Sequence, residues 1–389
     1  MTVILFLIIL GALVFVHELG HFVAAKKAGI RVDEFALGFP PKILGKKVGE
    51  TTYNLNLVPF GGYVKIFGED GGDTEATQKE EHGSDTDSSS PPQLRRGAEG
   101  GVVVPSDIYR RFTSKPRWVQ AIVLASGVLG NIVFAWLLIS ISFMSGIPSS
   151  AEGRYAEHVR DPELMITTVL PDSPAQKAGF HSGDVITSMQ AGTERFEGAD
   201  TEAARAFIGE NAAPIDISYL RGETAGTLEV TPAEGIIEGK RAIGISLDTV
   251  GTVRFNPVRA LYEGALMTWD LTREVAIGLF AFLKQAVLGQ ASLESVTGPV
   301  GIAGLVGEAR VLGIVYLLSF TAFISINLAV INLLPIPALD GGRLLFLAIE
   351  GITRRPIPVK FTRAVNTAGF VLLIMFMLFI TYRDIVKLF

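Results

Sequence analysis

Within its first thirty residues the chain reads His17-Glu18-Leu19-Gly20-His21. On an α-helix, positions i and i+4 share a face, so both imidazoles can bind one zinc ion while Glu18 acts on a water molecule beside it. Residues 2–16 carry no charge, and the apolar run continues past the motif to residue 25. Histidine and glutamate inside such a segment are costly unless they serve a function. The alternative is a hydrogen-bonded polar cluster between helices. A catalytic zinc takes a third protein ligand and keeps its fourth position open. The other histidines, His82, His158 and His181, lie in a polar loop and in a soluble segment, so a carboxylate near the membrane is expected. Asp340, in Asn332-Leu333-Leu334-Pro335-Ile336-Pro337-Ala338-Leu339-Asp340-Gly341-Gly342, is the best placed. Prolines and glycines break the helix there, and Asp340 precedes Arg343 much as His21 precedes Lys26 and Lys27. Glu350, Asp270 and Asp384 compete with it, and a helix-terminal cap is the other role open to Asp340.

These side chains need elements that lie in lipid. Of the 389 residues, 49% are hydrophobic and 19% charged, against about 25% charged in soluble domains, and the mean hydropathy is +0.40. A net charge of -5 is no basic footprint, so no nucleic acid is expected as a partner. The absence of cysteine excludes disulfides, thiolate zinc sites, iron–sulfur clusters and a Cys nucleophile. Four uncharged or nearly uncharged stretches reach the roughly 20 residues that a spanning helix needs: 2–25, 118–151, 311–339 and 364–382. The first lacks a basic leader and a small-residue cleavage site, and reads as a retained helix. Lys26, Lys27, Arg31, Arg110, Arg111, Lys115 and Arg117 flank the first connection, and Arg343, Arg354, Arg355, Lys360 and Arg363 follow the third span. Both clusters are therefore expected on the cytoplasmic side, with residues 152–310 across the membrane. Around 275–293 Lys284 interrupts the apolar run, and residues 256–291 read as an amphipathic surface segment.

Between the first two spans, residues 52–58 alternate apolar and polar, the period of a half-buried strand. Gly38-Phe39-Pro40-Pro41 before them and Pro59-Phe60-Gly61-Gly62 after them predict a short hairpin bounded by breakers. Residues 70–101, rich in Gly, Asp, Glu and Ser, predict a flexible polar loop. Beyond the second span, 165–170, 183–186, 215–220 and 227–231 read as strands, 175–179 as a short helix capped by Gly179, and 200–208 as a second helix. With Pro171-Asp172-Ser173-Pro174-Ala175-Gln176-Lys177-Ala178-Gly179-Phe180 followed by Gly183-Asp184-Val185-Ile186, this order resembles a PDZ domain of the bacterial type over residues 155–250. The resemblance implies that Ile243-Gly244-Ile245-Ser246 is the peptide-binding loop and that the 200–208 helix is the opposite groove wall, with a peptide or protein segment as partner. A PDZ fold used only as a spacer or plug is the other reading.

The zinc motif on a first span, the Asn332 to Gly341 pattern on a later one and a PDZ-like domain between them resemble the site-2 protease family of intramembrane zinc metalloproteases, in its RseP-like bacterial branch, over nearly the whole chain. By this resemblance Zn2+ is the cofactor, His17, His21 and Asp340 are its ligands, and Glu18 is the catalytic acid and base. The hairpin around Gly61 and Gly62 is similar to the family's membrane-associated β element, whose edge takes an extended substrate by strand addition. Asn131 matches an asparagine that the family uses near substrate, and Asn332 is expected to act likewise. The chain departs from the pattern at Val128, where the family usually has proline, and in having one PDZ-like domain where some relatives have two.

The fold expected is a polytopic α-helical membrane protein with four transmembrane helices, a membrane-associated β-hairpin and an extracytoplasmic α+β PDZ-like domain. Its expected segments are the first transmembrane helix with the zinc motif (1–28), the hairpin region (29–69), the flexible cytoplasmic loop (70–107) and the second transmembrane helix (108–150). The PDZ-like domain (155–250), an amphipathic connection (255–310), the third transmembrane helix with the Asp motif (311–345) and the fourth (364–385) follow. The expected function is hydrolysis of peptide bonds in or near transmembrane segments of membrane-bound substrates in the cell inner membrane. The rivals are a membrane-anchored PDZ adaptor with a vestigial metal site, and an ion transporter. The latter would need paired broken helices in an internal repeat, and the two halves of the sequence show no repeat.

Overall fold

A computed structural model of the chain describes residues 1–69, 109–222, 224–237, 240–290 and 296–387. The expected flexible loop, 70–107, lies outside the described residues. Among the described residues, four helices are long and apolar enough to cross a membrane: α1 (Thr2–Lys27), α2 (Arg117–Ser145), α7 (Ile314–Asn332) and α9 (Val359–Val386). At 1.5 Å per residue, the 26 residues of α1 reach about 39 Å, enough for a hydrocarbon core of about 30 Å with some tilt. Phe6, Ile9, Leu13, His17, His21 and Ala25 form its buried stripe, at the three- and four-residue spacing of one helical face. The two histidines thus face protein, while Ile4, Ile8, Phe15 and Val23 stay exposed.

The chain divides into two compact units. One comprises residues 1–135, 268–304 and 321–389, the other 136–267 and 305–320. In the first, β1 (Val32–Val48) and β2 (Thr51–Ile66) form a hairpin turning at Gly49 and Glu50. It is much longer than the alternation of residues 52–58 predicts, because Pro40, Pro41 and Pro59 do not end the strands. The register shifts instead, repeatedly between Val32 and Leu44, which is how strands accommodate residues that cannot donate to the ladder. Glu34, Phe35, Ala36 and Leu37 each gain two partners, Thr52 to Leu55 on one side and Gly62 to Lys65 on the other. The two strands therefore behave as four segments, with Gly62–Ile66 paired on one side among the described residues. Glu50 at the turn takes Lys26 Nζ at 2.5 Å and Arg110 Nη2 at 2.8 Å. Burial pushes its carboxyl up, and the two cations outweigh that and hold it below the ordinary carboxylate range.

In the second unit, β3 (Ile147–Ser150), β4 (Arg160–Val169), β5 (Val185–Ala191), β6 (Glu194–Phe196), β7 (Ile215–Arg221), β8 (Thr224–Val230) and β11 (Ile245–Val253) form one sheet. Its order is β3-β11-β4-β5-β7-β8, with β6 on β5. A separate pair is made by β9 (Ala233–Ile237) and β10 (Lys240–Ala242). Ile166, Met189, Ile215 and Ile217 are fully buried in its core. The short helix α3 (Pro174–Ala178) starts on Ser173, whose side chain accepts from Gln176 N–H. It stops at Gly179, whose φ of 100° is the left-handed turn that the sequence reserves for glycine. Asp200 caps α4 (Thr201–Glu210) by accepting from Glu202 and Ala203.

The segment expected as one amphipathic connection is two helices, α5 (Pro257–Val287) and α6 (Pro299–Leu312). The expected third span is likewise divided. Gly313, at φ 112°, separates α6 from α7, and α7 ends at Asn332. Asp340 opens a new helix, α8 (Asp340–Thr353), because Pro335 and Pro337 cannot continue the hydrogen-bond ladder.

Candidate metal centre

The helix α1 brings His17 and His21 onto one face, and the break after α7 brings Asp340 to them. His17 Nε2 and His21 Nε2 are 3.3 Å apart, and Asp340 Oδ2 lies 3.1 Å from the first and 3.2 Å from the second. The three atoms form a nearly equilateral triangle. For ligands about 2.0–2.1 Å from a tetrahedral zinc, the ligand-to-ligand edge is about 3.4 Å, so the triangle has the size of one face of such a site. His21 Nδ1 is 2.8 Å from the carbonyl oxygen of Val123. A carbonyl can only accept, so Nδ1 carries the proton, and in the neutral ring Nε2 presents a lone pair. That lone pair faces a carboxylate oxygen and a second imidazole nitrogen. A zinc ion suits two imidazoles and a carboxylate in number and type.

Asp340 is held by a loop with little freedom. A Cβ on Gly341 would overlap the carbonyl oxygens of Leu333 and Leu334, and one on Gly342 would overlap that of Ile336. Ala338, at φ 74°, donates its N–H to Asn366 Oδ1 at 3.3 Å. Among the described residues, the group able to share a metal ion is His17, His21 and Asp340. Glu350 and Asp384 are engaged elsewhere, accepting from Ile357 N–H and Gly301 N–H respectively, and Asp270 is no part of the group.

The triangle opens into a cavity of about 330 Å3, lined among others by Glu18, Gly61, Gly62, Asn332 and Arg343. Five sequence candidates, Glu18, Gly61, Gly62, Asn332 and Asp340, therefore meet in one space with both histidines. The edge segment of the hairpin enters it through Tyr63, Val64 and Ile66 as well. A Cβ on Gly62 would stand 2.9 Å from Val14 Cγ1 and 3.1 Å from Glu18 Cγ, so the absent side chain lets the strand lie against the general-base candidate. Asn131 does not line this cavity. It is fully buried on α2, with its carboxamide behind His17.

Two contributors were not singled out from the sequence. A Cβ on Gly127 would overlap His21 Nε2 and come within 2.8 Å of His17 Cε1. Only glycine at that point of α2 leaves room for both rings. The signal was available as the small residues Gly20, Gly127 and Gly130, which let two helices approach closely: Gly20 lies against Gly127, and Gly130 against Val16. Arg343 lines the cavity and donates to Glu69 Oε1 at 2.7 Å.

The residues expected to bind peptide in the PDZ-like domain sit differently. Ile243 is 1% exposed and its carbonyl accepts from Ala175 N–H. Gly244 turns the chain at φ 81° and accepts from Leu170 N–H, and Ile245 pairs with Val169 and packs on the core. On β11, Leu247 O already accepts from Arg205 Nη2 at 3.1 Å, and Thr249 O from Ala151 N–H at 2.7 Å. Thr201 Oγ1 on α4 lies 2.9 Å from Thr249 Oγ1. The groove wall rests directly on the strand.

Comparison with known proteins adds independent findings. The family model described as peptidase family M50 matches residues 5–376. The chain is 32% identical to the regulator of sigma-W protease RasP of Bacillus subtilis, covering 100% of this chain and 99% of that one. It is 31% identical to the zinc metalloprotease RasP of Geobacillus kaustophilus, covering 100% and 98%. A solved PDZ domain of an SdrC-like protein from Listeria monocytogenes is 22% identical over 23% of this chain and 90% of that one. Its TM-score of 0.20 is too low to add to the strand order given above.

Proposed function

This chain belongs to peptidase family M50, and from that premise we propose that His17, His21 and Asp340 hold its zinc and that Glu18 is its general base and acid. The protein is a multi-pass membrane protein and an intramembrane zinc metalloprotease. It hydrolyses peptide bonds in or near the transmembrane segments of membrane-protein substrates, with Zn2+ as cofactor. The assignment of ligands is carried by the triangle of Nε2, Nε2 and Oδ2 atoms at 3.1–3.3 Å, which has the size of one face of a tetrahedral zinc site. Bound zinc supplies a Lewis acid for the scissile carbonyl and lowers the pKa of water. The chain supplies the rest. Glu18, in the same cavity, takes the water proton and returns it to the leaving amine.

A substrate helix must unwind before it is cut, since its carbonyls are bound in the i to i−4 ladder. The segment Gly62–Ile66 offers a strand edge along the cavity that is unpaired among the described residues, and an unwound substrate adds there as a further strand. Asn332, at the end of α7, faces the same space and is placed to bond a substrate carbonyl. Water enters through a second cavity of about 620 Å3, which shares Glu69, Leu124, Ala338 and Arg343 with the first.

The enzyme resides in the cell inner membrane. The basic clusters after α1 and around α8 lie on the cytoplasmic side, with the PDZ-like domain, residues 155–250, across the membrane. With the outward carbonyls of Leu247 and Thr249 already bonded, that domain acts by excluding bulky substrates more than by capturing a peptide at Ile243, Gly244 and Ile245. The adaptor reading is set aside by the family membership and by a complete set of ligands and base.

The test uses purified protein and a transmembrane reporter, with and without a chelator, together with zinc analysis of two variants. Asp340→Asn is expected to lose zinc and turnover together, and Glu350→Gln neither. Full zinc and full turnover in Asp340→Asn would remove Asp340 from the site.

A further inference from the structure

Every fourth residue on one face of α2 addresses the two histidines. Val123 presents its carbonyl to His21 Nδ1, Gly127 leaves space for both rings, and Asn131 places its carboxamide nitrogen 3.5 Å from His17 Nδ1. Asn131 is 0% exposed, and among the described residues its buried Oδ1 has no hydrogen-bond partner. Its backbone is fixed from the other side by Ser325, whose hydroxyl donates to the Asn131 carbonyl at 2.8 Å and which is itself fully buried.

The two ends of a carboxamide exchange places by a half-turn about its last bond, and the choice is made by the hydrogen bonds available. With Nδ2 toward the ring, His17 would need a bare Nδ1 and a proton on Nε2, the nitrogen that faces Asp340. With Oδ1 toward the ring, the orphaned oxygen accepts from Nδ1–H and Nε2 is left as a lone pair. The second arrangement gives the oxygen a partner and turns the amide nitrogen to where the oxygen was, and it alone matches the Nδ1–H acceptor that His21 has in Val123. We infer that Asn131 is a positioning residue for His17: its Oδ1 accepts from Nδ1–H, fixing the ring's tautomer and orientation so that Nε2 can bind metal. This replaces the substrate contact expected for Asn131 from the sequence, and it rests on the reading of His17 as a zinc ligand.

The experiment measures zinc affinity by competition with a chelator on full-length protein in detergent, for wild type, Asn131→Leu, Asn131→Asp and His17→Ala. Outer partners of metal-bound histidines typically change metal affinity by about 10- to 100-fold. Asn131→Leu, similar in size but unable to accept, is expected to lose that much. Asn131→Asp, which still accepts, should stay within about threefold of wild type. The zinc-free forms should melt alike, and the cobalt-substituted Leu variant should show a shifted visible spectrum. Wild-type affinity in Asn131→Leu alongside zinc loss in His17→Ala overturns the inference, as does a raised KM with unchanged metal affinity. Retained zinc in His17→Ala would instead overturn the ligand assignment beneath it. A second measurement needs no variant. In zinc-loaded protein labelled with 15N-histidine, the proton of His17 is expected on Nδ1, and a proton on Nε2 would refute the assignment.

Discussion

Two carboxylates in this protein, Asp184 and Asp340, are treated in opposite ways. Asp184, in the PDZ-like domain, is 0% exposed. Arg221 Nε donates to its Oδ1 at 2.6 Å, Arg221 Nη2 to its Oδ2 at 2.7 Å, and His181 N–H to Oδ2 at 2.9 Å. Its charge is balanced and its oxygens are bonded within one small domain. Asp340 Oδ2 instead lies 3.1 and 3.2 Å from two imidazole nitrogens. Buried charge completed internally is architecture, whereas two imidazoles and a carboxylate grouped at ligand spacing form a donor set that suits a metal ion. The contrast separates a donor set suited to a metal ion from a charge pair that is complete in itself.

The largest effect that sharpens this contrast belongs to Glu18. Glu18→Gln is expected to lower cleavage of a transmembrane reporter by about 10^3-fold or more, while zinc stays bound, because the base is removed and the ligands remain. Zinc analysis and single-turnover cleavage on the same preparation check it. Residual cleavage within tenfold of wild type would remove Glu18 from its role.

Next in size is the opposite test, on the carboxylate that is already satisfied. Arg221→Met leaves Asp184 buried and unpaired, a change that costs about 3 kcal/mol in comparable buried pairs. Faster hydrogen exchange is expected across β4, β5 and β7, with unchanged zinc content. Lost zinc in a variant that still folds would mean that the two regions are less independent than their bonding suggests.

Gly127→Ala follows. Alanine is the better helix former by about 1 kcal/mol, so α2 itself should not weaken. The added methyl occupies the space of two rings that cannot yield without leaving the metal, and zinc affinity is expected to fall by about tenfold or more. An unchanged affinity in chelator competition would mean that the rings have room to move.

How much of this was legible in the sequence depended on whether the signal was local. The spacing of His17 and His21 and the breakers around Asp340 are local, and four uncharged stretches are enough to name four spans. The Gly179 stop of α3 could be read for the same reason. What escaped required knowing which surfaces meet. Pro40, Pro41 and Pro59 look like strand ends, and only the shifted register shows them inside longer strands. Gly127 means nothing until α1 lies against it. Asn131 reads as a substrate contact until its carboxamide is found behind His17. Ile243 was expected in a groove, but its side chain belongs to the core and its carbonyl to α3.

The smallest effect tests whether the PDZ-like groove is closed. Arg205 lies on the exposed side of α4, with a side chain 55% accessible, and bonds both Glu202 and the Leu247 carbonyl. Since half its surface faces solvent, the bond to Leu247 is expected to contribute only about 1 kcal/mol. Arg205→Ala frees the carbonyl that an added strand would use and loosens α4 from β11. Local opening easier by about 1 kcal/mol predicts about fivefold faster amide exchange in residues 201–205 and 245–249. Segments around His17 and Asp340 should exchange as in wild type, and a reporter with a short outer segment should be cut at the wild-type rate. Exchange that stays unchanged along β11 would show that Arg205 does not hold the groove shut. A drop in cleavage of the short reporter would connect this domain to the chemical step and dissolve the contrast between the two carboxylates.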